Sequence, residues 1–221
     1  METITLVVAT RNRAKSSEIR ALLKDFPVDI KDVSDFGPLP EPVEDGRTFD
    51  ENAYKKALFT ARVLGLPALA DDSGLEVEAL GGEPGVHSAR YAGEQATDAE
   101  NNRKLLRAME GVTNRKARFV CVLSLAVPTG PALTYEAACD GEITTEPRGT
   151  HGFGFDPVFF YPPAGKTFAE MEPEEKAAVS HRGRALRELR EEFDKVLVWL
   201  HQRLAEERRL LSEGICRHEH T

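Results

Sequence analysis

Hydrophobic and polar positions switch between two periods along the chain, and the switches mark its elements. Ile4 to Ala9 is an almost unbroken β-favouring run, Thr10 to Lys15 is a polar cluster, and Ile19, Leu22, Leu23 and Phe26 then recur at helical spacing. That order predicts strand, loop, helix. An extended piece from Val28 to Val33 leads into Phe36 to Gly46, where prolines, glycines and acids predict a surface loop. From Phe49 on, Ala53, Ala57, Ala61 and Leu64 share one helical face. Gly65 with Pro67 ends that helix before the apolar run Ala68 to Ala70, read as a strand. Leu75 to Leu80 alternates apolar and acidic residues as a half-exposed strand does, and Gly81, Gly82, Pro84 and Gly85 break it.

In the second half, Thr97 followed three residues later by Glu100 signs the start of a helix running to Met109. Arg118 to Val127 and Leu133 to Ala138, joined by a turn at Pro128 to Pro131, predict an antiparallel hairpin. Arg182 to Arg209 predicts one long helix with Leu186, Leu189, Phe193, Val196, Leu197 and Leu200 on its apolar side, and a tail that frays after Gly214. Early alternation and late pairing together define the class: α/β, a mixed sheet with helices packed on it.

Composition narrows the function. With 221 residues, 41% apolar and 30% charged, the chain can bury a core as one domain. A net charge of −8 disfavours a sequence-blind grip on nucleic acid and leaves room only for a local anion pocket. There is no apolar run of about 20 residues and no secretory leader pattern, so a soluble, cytoplasmic protein without a membrane partner is expected. Cys121, Cys139 and Cys216 are odd in number and widely spaced, which predicts reduced thiols.

Four clusters can carry chemistry. Thr10, Arg11, Asn12, Arg13, Ala14 and Lys15 sit between a strand and a helix start, where free N–H groups and cations favour a phosphate; N-capping in a solvated loop explains the same residues equally well. Asp71 and Asp72, followed by Ser73 and Gly74, fall at the end of an apolar strand. A common turn would place acids there too, but a buried strand that delivers carboxylates to a cleft suits Mg2+, with Glu44 as a further ligand. Gly152 to Pro157 combines glycines that admit close approach with the flat rings of Phe153 and Phe155; Pro157 excludes a dinucleotide fingerprint, and a tight turn with core rings is the alternative. Lys176, His181 and Arg182 supply donors for phosphate or for a carbonyl on a base, while Ser180 is explained by capping alone.

Taken in order, six segments give a resemblance that spans Ile4 to about Leu200: T-R-N-R-A-K from Thr10, E-D-G-R-T-F-D-E-N-A from Glu44, A-D-D-S-G-L from Ala70, P-G-V-H-S-A-R-Y from Pro84, G-F-G-F-D-P from Gly152 and E-E-K-A-A-V-S-H-R-G from Glu174. The chain resembles the inosine triphosphate pyrophosphatase family. The resemblance implies a two-lobed domain over residues 1–200 with an elongated central sheet, a helical extension and frayed tail over 201–221, a homodimer, and Mg2+-dependent hydrolysis of ITP, dITP and XTP. It also implies polyphosphate binding by Thr10 to Lys15, metal binding by Glu44 and Asp72, and a general-base role for Asp72. Substrate contacts fall to Ser73, to Phe153, Gly154, Phe155 and Asp156 around the nucleoside, and to Lys176, His181 and Arg182. Phe155 stands where bacterial members often carry Tyr, so that hydroxyl is missing. Pyrophosphatases for other modified nucleotides, or a nucleotide-binding module without turnover, are the competing readings. An adjacent Asp71 charge is expected to raise the proton affinity of Asp72.

Overall fold

The computed structural model describes residues 3–218. Its centre is one seven-stranded sheet, β1 (Ile4–Val8), β2 (Val28–Asp32), β3 (Ala68–Val77), β4 (Lys116–Ala126), β5 (Ala132–Ile143), β6 (Phe159–Tyr161) and β7 (Lys166–Thr167), in the spatial order β2-β1-β3-β4-β5-β6-β7. β1 runs parallel to β2 and β3, and every later pairing is antiparallel. Among the described residues six α-helices flank it: α1 (Arg13–Leu23), α2 (Phe49–Leu64), α3 (Asp98–Ala108), α4 (Pro173–Val179), α5 (His181–Glu191) and α6 (Phe193–His218).

Side chains alternate across a strand, so neighbouring residues of β3 serve opposite faces. On one face Leu69 joins Ile19 of α1, Leu186 and Leu189 of α5, and Phe193, Val196 and Leu200 of α6 in a buried cluster. On the other, Ala70 packs with Ala57 of α2, and Phe49 and Ala53 of that helix cover Val120 and Val122 of β4. A second cluster, Leu75, Leu105, Met109, Phe119, Phe159 and Phe168, fills the far half of the sheet. The two clusters are the cores of two lobes that share β3, β4 and β5.

The predicted caps hold. Gly65 closes α2 in the left-handed conformation and Thr97 with Glu100 forms the capping box, while the Thr48 hydroxyl, which was not among the expected caps, also accepts the Glu51 N–H. Four expectations give way. Ala68 to Ala70 and the segment from Leu75 are not separate strands: β3 runs unbroken through Asp71, Asp72, Ser73 and Gly74 because these pair with Leu123, Val122, Cys121 and Val120. Gly74 is there for closeness, since a Cβ would lie 2.5 Å from the Gly85 carbonyl and 2.6 Å from Ser88 Oγ; Glu78–Leu80 is a 3-10 turn. The polar cluster is only half loop, because α1 begins at Arg13. The long helix from Arg182 to Arg209 is two helices, broken at Glu192, whose N–H turns to the Glu188 and Arg190 carbonyls. The tail does not fray after Gly214: α6 continues to His218, and residues 219–221 lie outside the described part.

Candidate active site

β1 pairs with β3 only at Ala68 and Leu69, with one further bond from the Ala9 N–H to the Leu69 carbonyl at 2.8 Å. Beyond that point the chain of β1 turns away into Thr10, and the edge of β3 carrying Asp71 to Ser73 is left without a strand on that side. The candidate site is built on this bare edge.

Because the two aspartates are neighbours in one strand, they point to opposite faces and acquire different partners. Asp71 is fully enclosed. It accepts from Lys15 Nζ at 2.7 Å, Arg182 Nη2 at 3.1 Å and Ser73 Oγ at 3.2 Å. Burial would raise its pKa, but the Lys15, Arg182 and Lys56 cations outweigh that and hold the carboxyl far below the ordinary range. One carboxylate against two direct cations leaves this corner net positive.

Asp72 turns to the α2 face. Lys56 Nζ lies 2.7 Å from Asp72 Oδ1 and 3.8 Å from Glu44 Oε2, and Asn52 Nδ2 reaches Asp72 Oδ2 at 3.5 Å. Two carboxylates against one ammonium leave this corner net negative. Burial is the largest cause of the raised Asp72 pKa, opposed by Lys56; the Glu44 and Asp71 charges add to the rise. The direction matches the expected one, but the Asp71 charge is the smaller cause. Lys56 feels both corners: burial pulls its pKa down, yet Asp72, Asp71 and Glu44 together raise it.

The loop bearing Glu44 is tied down on three sides. Arg90 Nη2 donates to the Glu44 carbonyl at 3.2 Å, the Gly46 N–H donates to Asn52 Oδ1 at 2.8 Å, and Lys55 Nζ pairs with Asp45 at 2.7 Å. Ser88, from the same segment as Arg90, accepts the Leu75 N–H at 2.9 Å and so supports β3 just past the aspartates.

On the Arg182 side a cavity of about 1000 Å³ opens between α1 and the α4–α5 turn, with Phe153, Lys176, His181 and Arg182 in its wall. Phe153 exposes its ring, with Lys176 Nζ 4.9 Å and the Arg182 guanidinium 5.5 Å from its centroid. Asp156 is buried, pairs with Lys176 and accepts the Phe153 N–H at 2.9 Å; burial raises its pKa despite Lys176. His181 stacks on Phe119 at 4.6 Å. Burial, then Arg182, Lys176 and Lys15, push its imidazole well below its ordinary value, so the ring is neutral. Among the described residues, His181 Nδ1 and Arg182 Nε are buried without a hydrogen-bond partner.

Other positions fall elsewhere. Phe155 is buried in the core cluster of the second lobe that also holds Leu105 and Phe159, and it is not in the wall of the Phe153 cavity. Arg11 is held by Glu41 and by the Leu39 carbonyl at 3.1 Å, on the outer side of the loop. Thr10 and Asn12, with Arg11, border a separate cavity of about 770 Å³ toward Gly37 and Leu39. Arg13 and Ala14 contribute their backbone to the first turn of α1. Lys56, Asn52 and Arg90 were missed. A polar pair four residues apart among the buried alanines of α2 was the available signal for the first two.

A mixed α/β sheet whose bare edge separates a positive from a negative corner, beside a cavity with an exposed ring, defines a protein for phosphorylated ligands that carry a flat group. The chain belongs to the Ham1 family, whose profile matches residues 6–192. It is 68% identical over 98% of its length to a dITP/XTP pyrophosphatase of Syntrophobacter fumaroxidans, covering 94% of that protein, and 57% identical over 92% to one of Desulfotalea psychrophila, covering 91%. It is similar to the solved HAM1 protein of Coxiella burnetii, with a TM-score of 0.84, 44% identity, and coverage of 87% of this chain and all of that one. No helix among the described residues is long and apolar enough to cross a membrane.

Proposed function

We propose that the chain hydrolyses deaminated purine nucleoside triphosphates, dITP, ITP and XTP, to the monophosphate and pyrophosphate, with Mg2+ as cofactor. The observation that carries this reading is the split charge on β3. A positive corner of Lys15 and Arg182 around Asp71 lies one residue from a negative corner of Glu44 and Asp72 around Lys56. Relatives along nearly the full chain bear the name dITP/XTP pyrophosphatase, which supports the substrate class.

The donor set fits Mg2+. That ion prefers one or two carboxylates with water and substrate phosphate completing its shell, and Glu44 and Asp72 already bracket one cation, the Lys56 ammonium. No group of three metal-ligating side chains occurs among the described residues. Glu44 and Asp72 would hold the ion, which when bound would neutralise phosphate oxygens and make water more acidic.

The rest falls to the chain. Phosphoanhydride cleavage depends on position and charge neutralisation more than on a strong base. Lys15, Arg182 and Lys56 supply the cations, and Asp72 accepts the proton of the attacking water. Phe153 offers its face to the base. Donors from Lys176, Arg182 and His181 Nδ1, the last in its protonated-at-Nδ1 tautomer, meet the C6 carbonyl of hypoxanthine or xanthine, whereas the amino group of adenine leaves donors facing donors.

The test is pyrophosphate release from ITP, dITP, XTP, GTP and ATP with and without Mg2+. We expect turnover of the first three to exceed ATP and GTP by at least about a hundredfold in kcat/KM, and to need the metal. Asp72→Asn lowers kcat by about 10²–10⁴ with ITP binding retained. Equal kcat/KM for all five, or native turnover by the variant, defeats the reading.

A further inference from the structure

The loop that carries Phe153 is closed on itself by the Phe153 N–H to Asp156 and the Asp156 N–H to the Phe153 carbonyl, and it is tied outward to α3. Gly154, in the left-handed conformation between Phe153 and Phe155, is gripped at both backbone polar groups. Its N–H donates to Asp98 Oδ2 at 2.6 Å, and its carbonyl accepts from Asn102 Nδ2 at 2.7 Å. The same amide nitrogen donates to the Asp98 carbonyl at 2.8 Å, so the two residues, one turn apart, form a single clamp. Asn102 is buried, and its Oδ1 finds no partner among the described residues. The unmet acceptor is a cost that the two bonds made by Nδ2 offset. Its neighbour Asn101 clamps a different segment, accepting the Ala92 N–H at 2.7 Å and donating to the Ala89 carbonyl at 3.0 Å.

We propose that Asp98 and Asn102 are positioning residues for substrate recognition: by fixing both polar groups of Gly154 they set the ring of Phe153 against Lys176 and Arg182, and so set affinity for the base. The inference rests on the reading of the Phe153 cavity as the nucleobase pocket. Neither residue touches the positive or negative corner of β3, so their effect is confined to the base end of the substrate.

The experiment compares wild type, Asp98→Ala and Asn102→Ala in pyrophosphate release from ITP, in competitive inhibition by inorganic tripolyphosphate, which engages only the phosphate end, and in thermal unfolding. In either variant KM for ITP rises about tenfold or more, kcat changes by less than about threefold and the tripolyphosphate inhibition constant stays put. Asp98→Asn, which keeps a carbonyl acceptor, recovers part of the loss. An unchanged KM in Asp98→Ala overturns the proposal, and so does a rise matched by an equal rise in the tripolyphosphate constant. Should Asn102→Ala fail to fold, the exposed Asp98 decides alone. A wild-type protein that releases no pyrophosphate from ITP instead overturns the reading beneath the inference, and it does so before any variant is compared.

Discussion

At the scale of single residues, adjacent aspartates have become chemically different groups because a strand sends neighbours to opposite faces. Asp71 is an ion-pair hub, and removing its charge strands Lys15 and Arg182 in a buried corner. Asp71→Asn is therefore expected to lower stability by about 3 kcal/mol, measured by urea denaturation, whereas Asp72→Asn, which removes a carboxylate whose charge burial already opposes, costs under about 1 kcal/mol. Equal losses would refute the division of roles. His181 gives the pH dependence. The folded protein resists a proton that the unfolded chain accepts near 6.5. This contribution is thus complete above that value and is lost as pH falls below it, by up to about 1.4 kcal/mol per unit. Stability between pH 7 and 5 should fall in the wild type and fall less in His181→Asn; parallel curves would show that the imidazole is not held neutral.

At the scale of elements, the signals that survived are local ones. The Thr97 and Glu100 capping box and the Gly65 stop were legible because a few neighbouring residues satisfy the orphan backbone groups of a helix end, whereas the Thr48 cap went unread. The central strand was cut in two because Ser73 and Gly74 have the composition of a turn. What keeps them extended is the pairing with Cys121 and Val120, some fifty residues away in sequence, which no local pattern encodes. The break at Glu192 escaped for the opposite reason: the apolar positions of α5 and α6 continue one helical spacing, and only packing against the sheet requires the turn. In the candidate site, charged and aromatic motifs were visible as residue types, while Lys56, Asn52, Arg90 and the clamp from Asp98 and Asn102 act through neighbours brought by the fold. Phe155 shows the limit from the other side, since an aromatic next to glycines reads alike whether it faces a ligand or a core.

At the scale of the molecule, two cores share three strands, and the first depends on the end of the chain. Phe193, Val196, Leu197 and Leu200 of α6 are buried in it, with Trp199 and Leu204 packed at its border. Past that border the helix changes character: Arg203 pairs with Glu206 at 2.9 Å, and Leu210 is 58% exposed. Among the described residues, none beyond Leu204 joins a core cluster. A chain ending at Ala205 loses helix propensity and surface pairs but, among the described side chains, no member of a core cluster, so its Tm should stay within about 4 °C of the full chain, with ITP turnover intact. A chain ending at Lys195 removes Val196, Leu197 and Leu200 at roughly 1.5–3 kcal/mol each, a sum comparable to the whole stability of a domain, and should not fold. Thermal unfolding of the two truncations by circular dichroism separates these outcomes. A large drop in Tm for the longer one would mean that the terminal turns of α6 support the first core.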